Sequence, residues 1–138
     1  MKKNRLIIEY DYDFHLLGLT SSAKFYKLAW TLNQLLGIEL KKGEDYRLDL
    51  LKEPASFELY TFGDPEVQFW LYRNRSVSSD SQCLLPEFPH FDYIIKIPEE
   101  SQTFILKELQ EALREVDLIE YIRALDAKNL KSRDNFLE

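Results

Sequence analysis

Residues 85–99 constrain the rest of the chain more than any other stretch. Pro86 and Pro89 hold the backbone extended and donate no ladder hydrogen bond, so they belong ahead of a strand and not inside one. Phe91 to Ile97 then reads as that strand, with Phe91, Tyr93, Ile95 and Ile97 on one face and Asp92, Ile94 and Lys96 on the other. Pro98 stops it. Ser101 is placed to cap a helix whose buried stripe is Ile105, Leu109, Ala112, Leu113 and Val116, with Lys107, Glu108, Glu111 and Arg114 on the wet side. A strand feeding directly into an amphipathic helix is a βα unit.

A second such unit lies near the N-terminus. Phe14 to Leu19 reads as a strand, and Ser21 or Ser22 offers a hydroxyl to cap the helix that follows. Phe25, Leu28, Ala29, Leu32, Leu35 and Leu36 repeat at the spacing of one buried stripe, and Gly37 is the expected stop. Tyr26, Trp30 and Asn33 fall on the shoulder of that stripe.

Between the units, residues 56–62 and 67–73 predict a β-hairpin around Gly63, Asp64, Pro65 and Glu66. Its strands are apolar on both faces, a pattern of strands covered on both sides. Residues 5–10, 38–40 and 46–51 are further short β-prone segments, and 41–45 is a polar turn. Residues 76–83 are Ser-rich without periodicity and read as a mobile, dispensable loop. Residues 117–125 fit a final strand better than a continued helix, because a helix of ordinary length ends near Val116. From Asp126 the tail is polar, with Leu130, Phe136 and Leu137 available to dock.

Two βα units around a hairpin predict a single α+β domain over 1–138. Its expected architecture is a ferredoxin-like split βαβ sandwich, a mostly antiparallel sheet with two helices on one face. A chain of 138 residues is long enough to bury roughly 70% of its unfolded surface. The net charge of −6 argues against nucleic acid as a partner. One cysteine, Cys83, excludes an internal disulfide and any multi-cysteine metal site. The apolar run Leu6-Ile7-Ile8 is too short for a signal peptide or a membrane span, so the expected setting is cytoplasmic, without membrane contact.

Several segments together carry a resemblance. Phe14 to Leu19 before Tyr26 to Asn33, Phe57 to Tyr60 before Trp70 to Asn74, and Leu130 to Phe136 frame Leu85-Pro86-Glu87 and Phe91-Asp92-Tyr93. The chain resembles the Bacteroidetes family named for its Ile-Pro-Glu and Val-Asp-Tyr signature, the IPExxVDY family. Leu85 stands where the signature has Ile and Phe91 where it has Val. Three residues, not two, separate Glu87 from Phe91. The resemblance implies a bacterial protein and no particular activity.

The chemistry on offer is sparse. Asp11 and Asp13 read as a solvated turn, not a metal pair, since a hard cation needs further oxygen ligands that the sequence does not supply. No metal or cofactor motif is present. Glu87, His90 and Asp92 are the residue types of an acid–base site, although local pairing accounts for them as well. His15 fits an ordinary strand histidine. Cys83 has no basic activator near it in sequence. Gly18 has no glycine partners and makes no phosphate loop.

Two functions follow from different classes. One is a non-enzymatic interaction or regulatory protein that binds itself or a protein partner. The other is a small-molecule-binding regulatory domain similar to ACT domains, with an anion taken near Gly18, Ser21 and Ser22 at a helix N-terminus. For the first, Tyr60, Phe62, Trp70 and Tyr72 are expected to form one aromatic patch that a homodimer buries, the competing account being that Leu130, Phe136 and Leu137 of the tail fold back over it and leave a monomer.

Overall fold

The computed structural model describes residues 13–49, 54–78, 82–101 and 103–137. The expected strand at 5–10, Asp11, the end of the 46–51 strand and residues 79–81 of the Ser-rich loop lie outside them.

The chain folds as an α+β domain. In order it forms β1 (Phe14–Thr20), α1 (Phe25–Leu36), β2 (Lys41–Lys42), β3 (Tyr46–Asp49), β4 (Pro54–Phe57), β5 (Leu59–Phe62) and β6 (Phe69–Arg73). There follow β7 (Tyr93–Pro98), α2 (Leu106–Leu113), β8 (Tyr121–Leu125) and two short 3-10 turns, Ala127–Asn129 and Arg133–Phe136. Six strands make one antiparallel sheet in the order β2-β5-β6-β7-β1-β8, while β3 and β4 pair apart from it.

Strand alternation divides the interior in two. Leu17, Leu19, Phe69, Leu71, Tyr93, Ile95 and Ile97 meet Phe25, Leu28, Ala29 and Leu32 of α1 and Leu109 and Leu113 of α2. Both helices therefore cover the same face, as their stripes require. Leu16, Tyr72 and Ile94 face the other way, onto Ala55 and Phe57 of β4, Leu84, Leu85, Phe91, Leu130 and Phe136.

β1 and β6 are both antiparallel to β7, so they run parallel with β7 between them; β7 and β8 straddle β1 in the same way. The departure from a plain ferredoxin-like sandwich lies in the connection from α1 to β6. It contains β2, β3, β4 and β5, which widen the sheet to six strands and add a separate hairpin on its second face.

Several local expectations are corrected. Residues 56–62 are two strands broken at Glu58, whose carbonyl accepts from the Arg73 N–H at 3.0 Å. A ladder forms at Lys41–Lys42, where a polar turn was expected, and not at 38–40. α1 starts at Phe25, and its N-cap residue Lys24 makes no side-chain cap. The Ser21 hydroxyl instead accepts from the Ala23 N–H at 3.1 Å, in the turn before the helix. Gly37 does end α1, at φ +66°, with its N–H on the Asn33 carbonyl at 2.9 Å. Ser101 accepts from the N–H groups of Thr103 and Phe104, ahead of α2 and not at its cap. Ile105 is 56% exposed, and Phe104 is buried in its place.

Phe91 precedes β7, where alternation no longer binds it, and its ring turns to the second face. The aromatic patch does not assemble either. The register pairs Tyr60 with Leu71 and Leu59 with Tyr72. Tyr60 and Phe62 accordingly face the helices, while Trp70 and Tyr72 face the other side. The tail covers Tyr72, which is 1% exposed and lies edge-on to the Phe136 ring at 5.6 Å.

Candidate functional site

The ends of β1 and β6, the start of α1 and the residue before β7 meet at one corner of the sheet. Asp92 is held there by its own backbone, whose N–H donates to the Leu19 carbonyl at 2.8 Å. Its carboxylate accepts from the Ser21 N–H at 2.8 Å. The Ser21 hydroxyl donates to the Leu118 carbonyl at 2.5 Å, which ties the approach to β8 to the same corner. The Tyr93 hydroxyl donates to the Ala23 carbonyl at 2.5 Å, and the Phe25 and Tyr93 rings stack at 5.2 Å.

These contacts leave an open cleft of about 500 Å³ lined by Ser21 to Phe25, Glu58, Arg73, Arg75, Asp92 and Tyr93. Its charges are partly spent. Arg73 reaches the Glu58 carboxylate at 3.3 Å, and Lys42 reaches the other oxygen of Glu58 at 3.4 Å. Arg75 donates twice to the Pro89 carbonyl, at 3.2 and 2.9 Å. Lys24, Arg73 and Arg75 set against Glu58 and Asp92 leave one net positive charge, beside a helix start with no acidic residue in its first turn. Burial pushes the Tyr93 phenol up; Arg73 acts against this, while Asp92 and Glu58 add to it. The arrangement offers donors and positive charge to an anion. Among its described lining residues, the Ser21 hydroxyl is committed to the Leu118 carbonyl and not to a base.

Of the residues expected at a site, Ser21, Ser22 and Asp92 do line this cleft. The others are placed elsewhere. Gly18 is buried in β1, and the Phe91 ring lies where a Cβ would project, 2.4 Å from it. A glycine there is a seat for an aromatic ring. Glu87 turns to the tail, accepting from the Ser132 hydroxyl at 2.6 Å and the Ser132 N–H at 2.9 Å. Burial pushes the Glu87 carboxyl up, but these Ser132 bonds, with further backbone hydrogen bonding, outweigh it and hold the group below its ordinary value. His90 is exposed, its ring 4.3 Å from Phe91 and 5.9 Å from Phe88. Glu87 and Asp92 thus serve different partners. Burial raises the Cys83 thiol, with nearby Arg75 a smaller opposing influence, so the thiol is not activated.

Three polar residues matter more than their place in the sequence suggests. Asn74 is fully buried and organises residues 84–92. Its amide donates to the Phe91 carbonyl at 2.8 Å and the Phe88 carbonyl at 3.3 Å, and its side-chain oxygen accepts from the Leu85 N–H at 2.8 Å. Lys96 is buried with its ammonium 4.2 Å from the Trp70 ring centre, donating to the Phe136 carbonyl at 2.6 Å. Arg75 braces the same loop from outside. Only the alternation that put Lys96 opposite an apolar face hinted at any of this.

Among the described residues, no three His, Cys, Asp or Glu side chains converge as a metal site, and no helix is long and apolar enough to cross a membrane. Comparison with known proteins finds no matching family model and no matching curated protein.

Proposed function

We propose that the chain is a non-enzymatic interaction or regulatory protein. The observation that supports this reading is the outer face of α1. Tyr26 and Trp30 stand one turn apart there, 64% and 62% exposed. Aromatic side chains are enriched at interfaces and dominate their energetics, because they bring large contact area at little conformational cost. The internal polar groups Glu87, Asn74 and Lys96 hold loops and tail in place, which leaves contact at the surface as the simplest mode of action. We include membership of the IPExxVDY family, a bacterial origin and a cytoplasmic setting in this reading, with a second copy of the chain as the first candidate partner and neither nucleic acid nor membrane among them.

Replacing Tyr26 and Trp30 together by Ala tests it. Both are exposed, so stability changes by no more than about half a kcal/mol per site. In-cell cross-linking in the native host is expected to give adducts with the wild type that the double variant loses. Identical adducts from both proteins, or none from the wild type, would reject the reading.

The cleft at the start of α1 favours a second reading, an ACT-like domain that binds a small anionic metabolite between Lys24, Arg73 and Arg75. A thermal-shift screen with amino acids, nucleotides and inorganic phosphate decides this. Stabilisation that Arg73→Ala abolishes supports it, and no shift with any anion rejects it.

A further inference from the structure

The two edges of the six-stranded sheet differ. At one, β2 is only two residues, Lys41 and Lys42, both exposed. A short edge carrying lysines is a usual defence against strand addition. At the other, β8 is the outermost of the described strands, five residues long, with neither proline nor lysine. Its only charge is Arg123, and Tyr121 is 51% exposed beside it. Such an edge presents backbone donors and acceptors with no built-in deterrent.

We propose that β8 is a homodimerisation edge, pairing antiparallel with β8 of a second copy to make one continuous twelve-stranded sheet. The inference rests on the interaction reading above for its partner, a second copy of the chain, and places the contact on a surface other than the outer face of α1. The strand is complementary to itself when the axis sits near its middle. A two-fold axis normal to the sheet keeps each residue on its own face, so opposed residues must share parity. Centring the axis on Ile122 sets Ile122 against its own copy on the helix-covered face, where it already packs against the core. Tyr121 then opposes Arg123 of the other copy on the second face. Both are positioned for this. The Tyr121 ring lies parallel to Phe91 at 6.2 Å, and the Arg123 guanidinium stands 5.1 Å over Phe88. Dimerisation extends each stack, placing the guanidinium between two rings, a favourable cross-strand pair. Centring on Arg123 instead opposes two like charges, which disfavours that register.

Cysteine placement reads the register directly. Opposed residues in an antiparallel pair have Cα atoms about 4.5–5.5 Å apart, within disulfide reach. In a Cys83→Ser background, Ile122→Cys is expected to cross-link into dimers under mild oxidation. Ala124→Cys lies about 14 Å from its copy in this register and is expected to stay unlinked. Sedimentation of the wild type at tens of micromolar is expected to show a dimer, weakened about tenfold or more by Tyr121→Lys, which sets two cations opposite each other. Circular dichroism and thermal melting verify that each variant folds. A wild-type monomer, equal cross-linking at both positions, or a Tyr121→Lys dimer as tight as wild type overturns the proposal. The interaction reading itself stands or falls separately, on the Tyr26 and Trp30 variant.

Discussion

A Cβ at position 18 would stand 2.4 Å from the Phe91 ring, against a strand backbone paired on both sides. Neither can yield easily. Gly18→Ala is therefore expected to destabilise the fold by about 1–3 kcal/mol, the cost of overpacking. Chemical denaturation of Gly18→Ala, Phe91→Leu and the double variant should show the second change recovering part of the loss. Glu87 makes a prediction about acid. Its carboxyl titrates lower in the folded than in the unfolded chain, so its contribution is present above the unfolded value, near pH 4.3, and is lost as pH falls through the folded value. Wild type should lose more stability than Glu87→Gln on acidification through that window. Equal losses in pH-dependent melts would contradict the assigned latch to Ser132. The sequence marks both residues as unusual and suggests binding for each. It could not show that a ring from residue 91 and a hydroxyl from residue 132 occupy them, because those are contacts between distant segments.

The helices were legible because a buried stripe at helical spacing is a local signal. Leu32 and Leu109 are 0% and 3% exposed under the sheet face. Leu32→Ala and Leu109→Ala should each cost about 2–5 kcal/mol in equilibrium unfolding. Ile105→Ala, at the solvent end of the same sequence pattern, should cost less than about half a kcal/mol. A loss at Ile105 matching that at Leu109 would show that α2 begins earlier. Boundaries were less legible: Ser21 and Ser101 carry the chemistry of caps, yet each bonds a turn lying before its helix. Strand alternation identified the two faces of β7 but failed at Phe91, one residue beyond Asp92 and outside the ladder. The split of residues 56–62 at Glu58 was hidden because β4 and β5 are both apolar, while their partners lie in different sheets.

Across the molecule, the decisive feature is that one sheet face belongs to the helices and the other to loop and tail. The aromatic residues of β6 need not be covered by another chain, because Phe136 covers Tyr72 and its carbonyl takes the Lys96 ammonium. Phe136→Ala should therefore cost about 3–5 kcal/mol, as a core substitution does, although it lies two residues from the end of the sequence. Denaturant unfolding checks this, and a loss near zero would mean the tail adds no stability. The pairing of β1 has a further consequence, for biosynthesis. Chains emerge from the ribosome at about 5–20 residues per second, N-terminal part first. β1 is the middle of three strands whose other two, β7 and β8, are translated well after it. Leu16, Leu17 and Leu19 must therefore wait several seconds for both neighbours, and through that interval their apolar side chains lack the sheet that buries them.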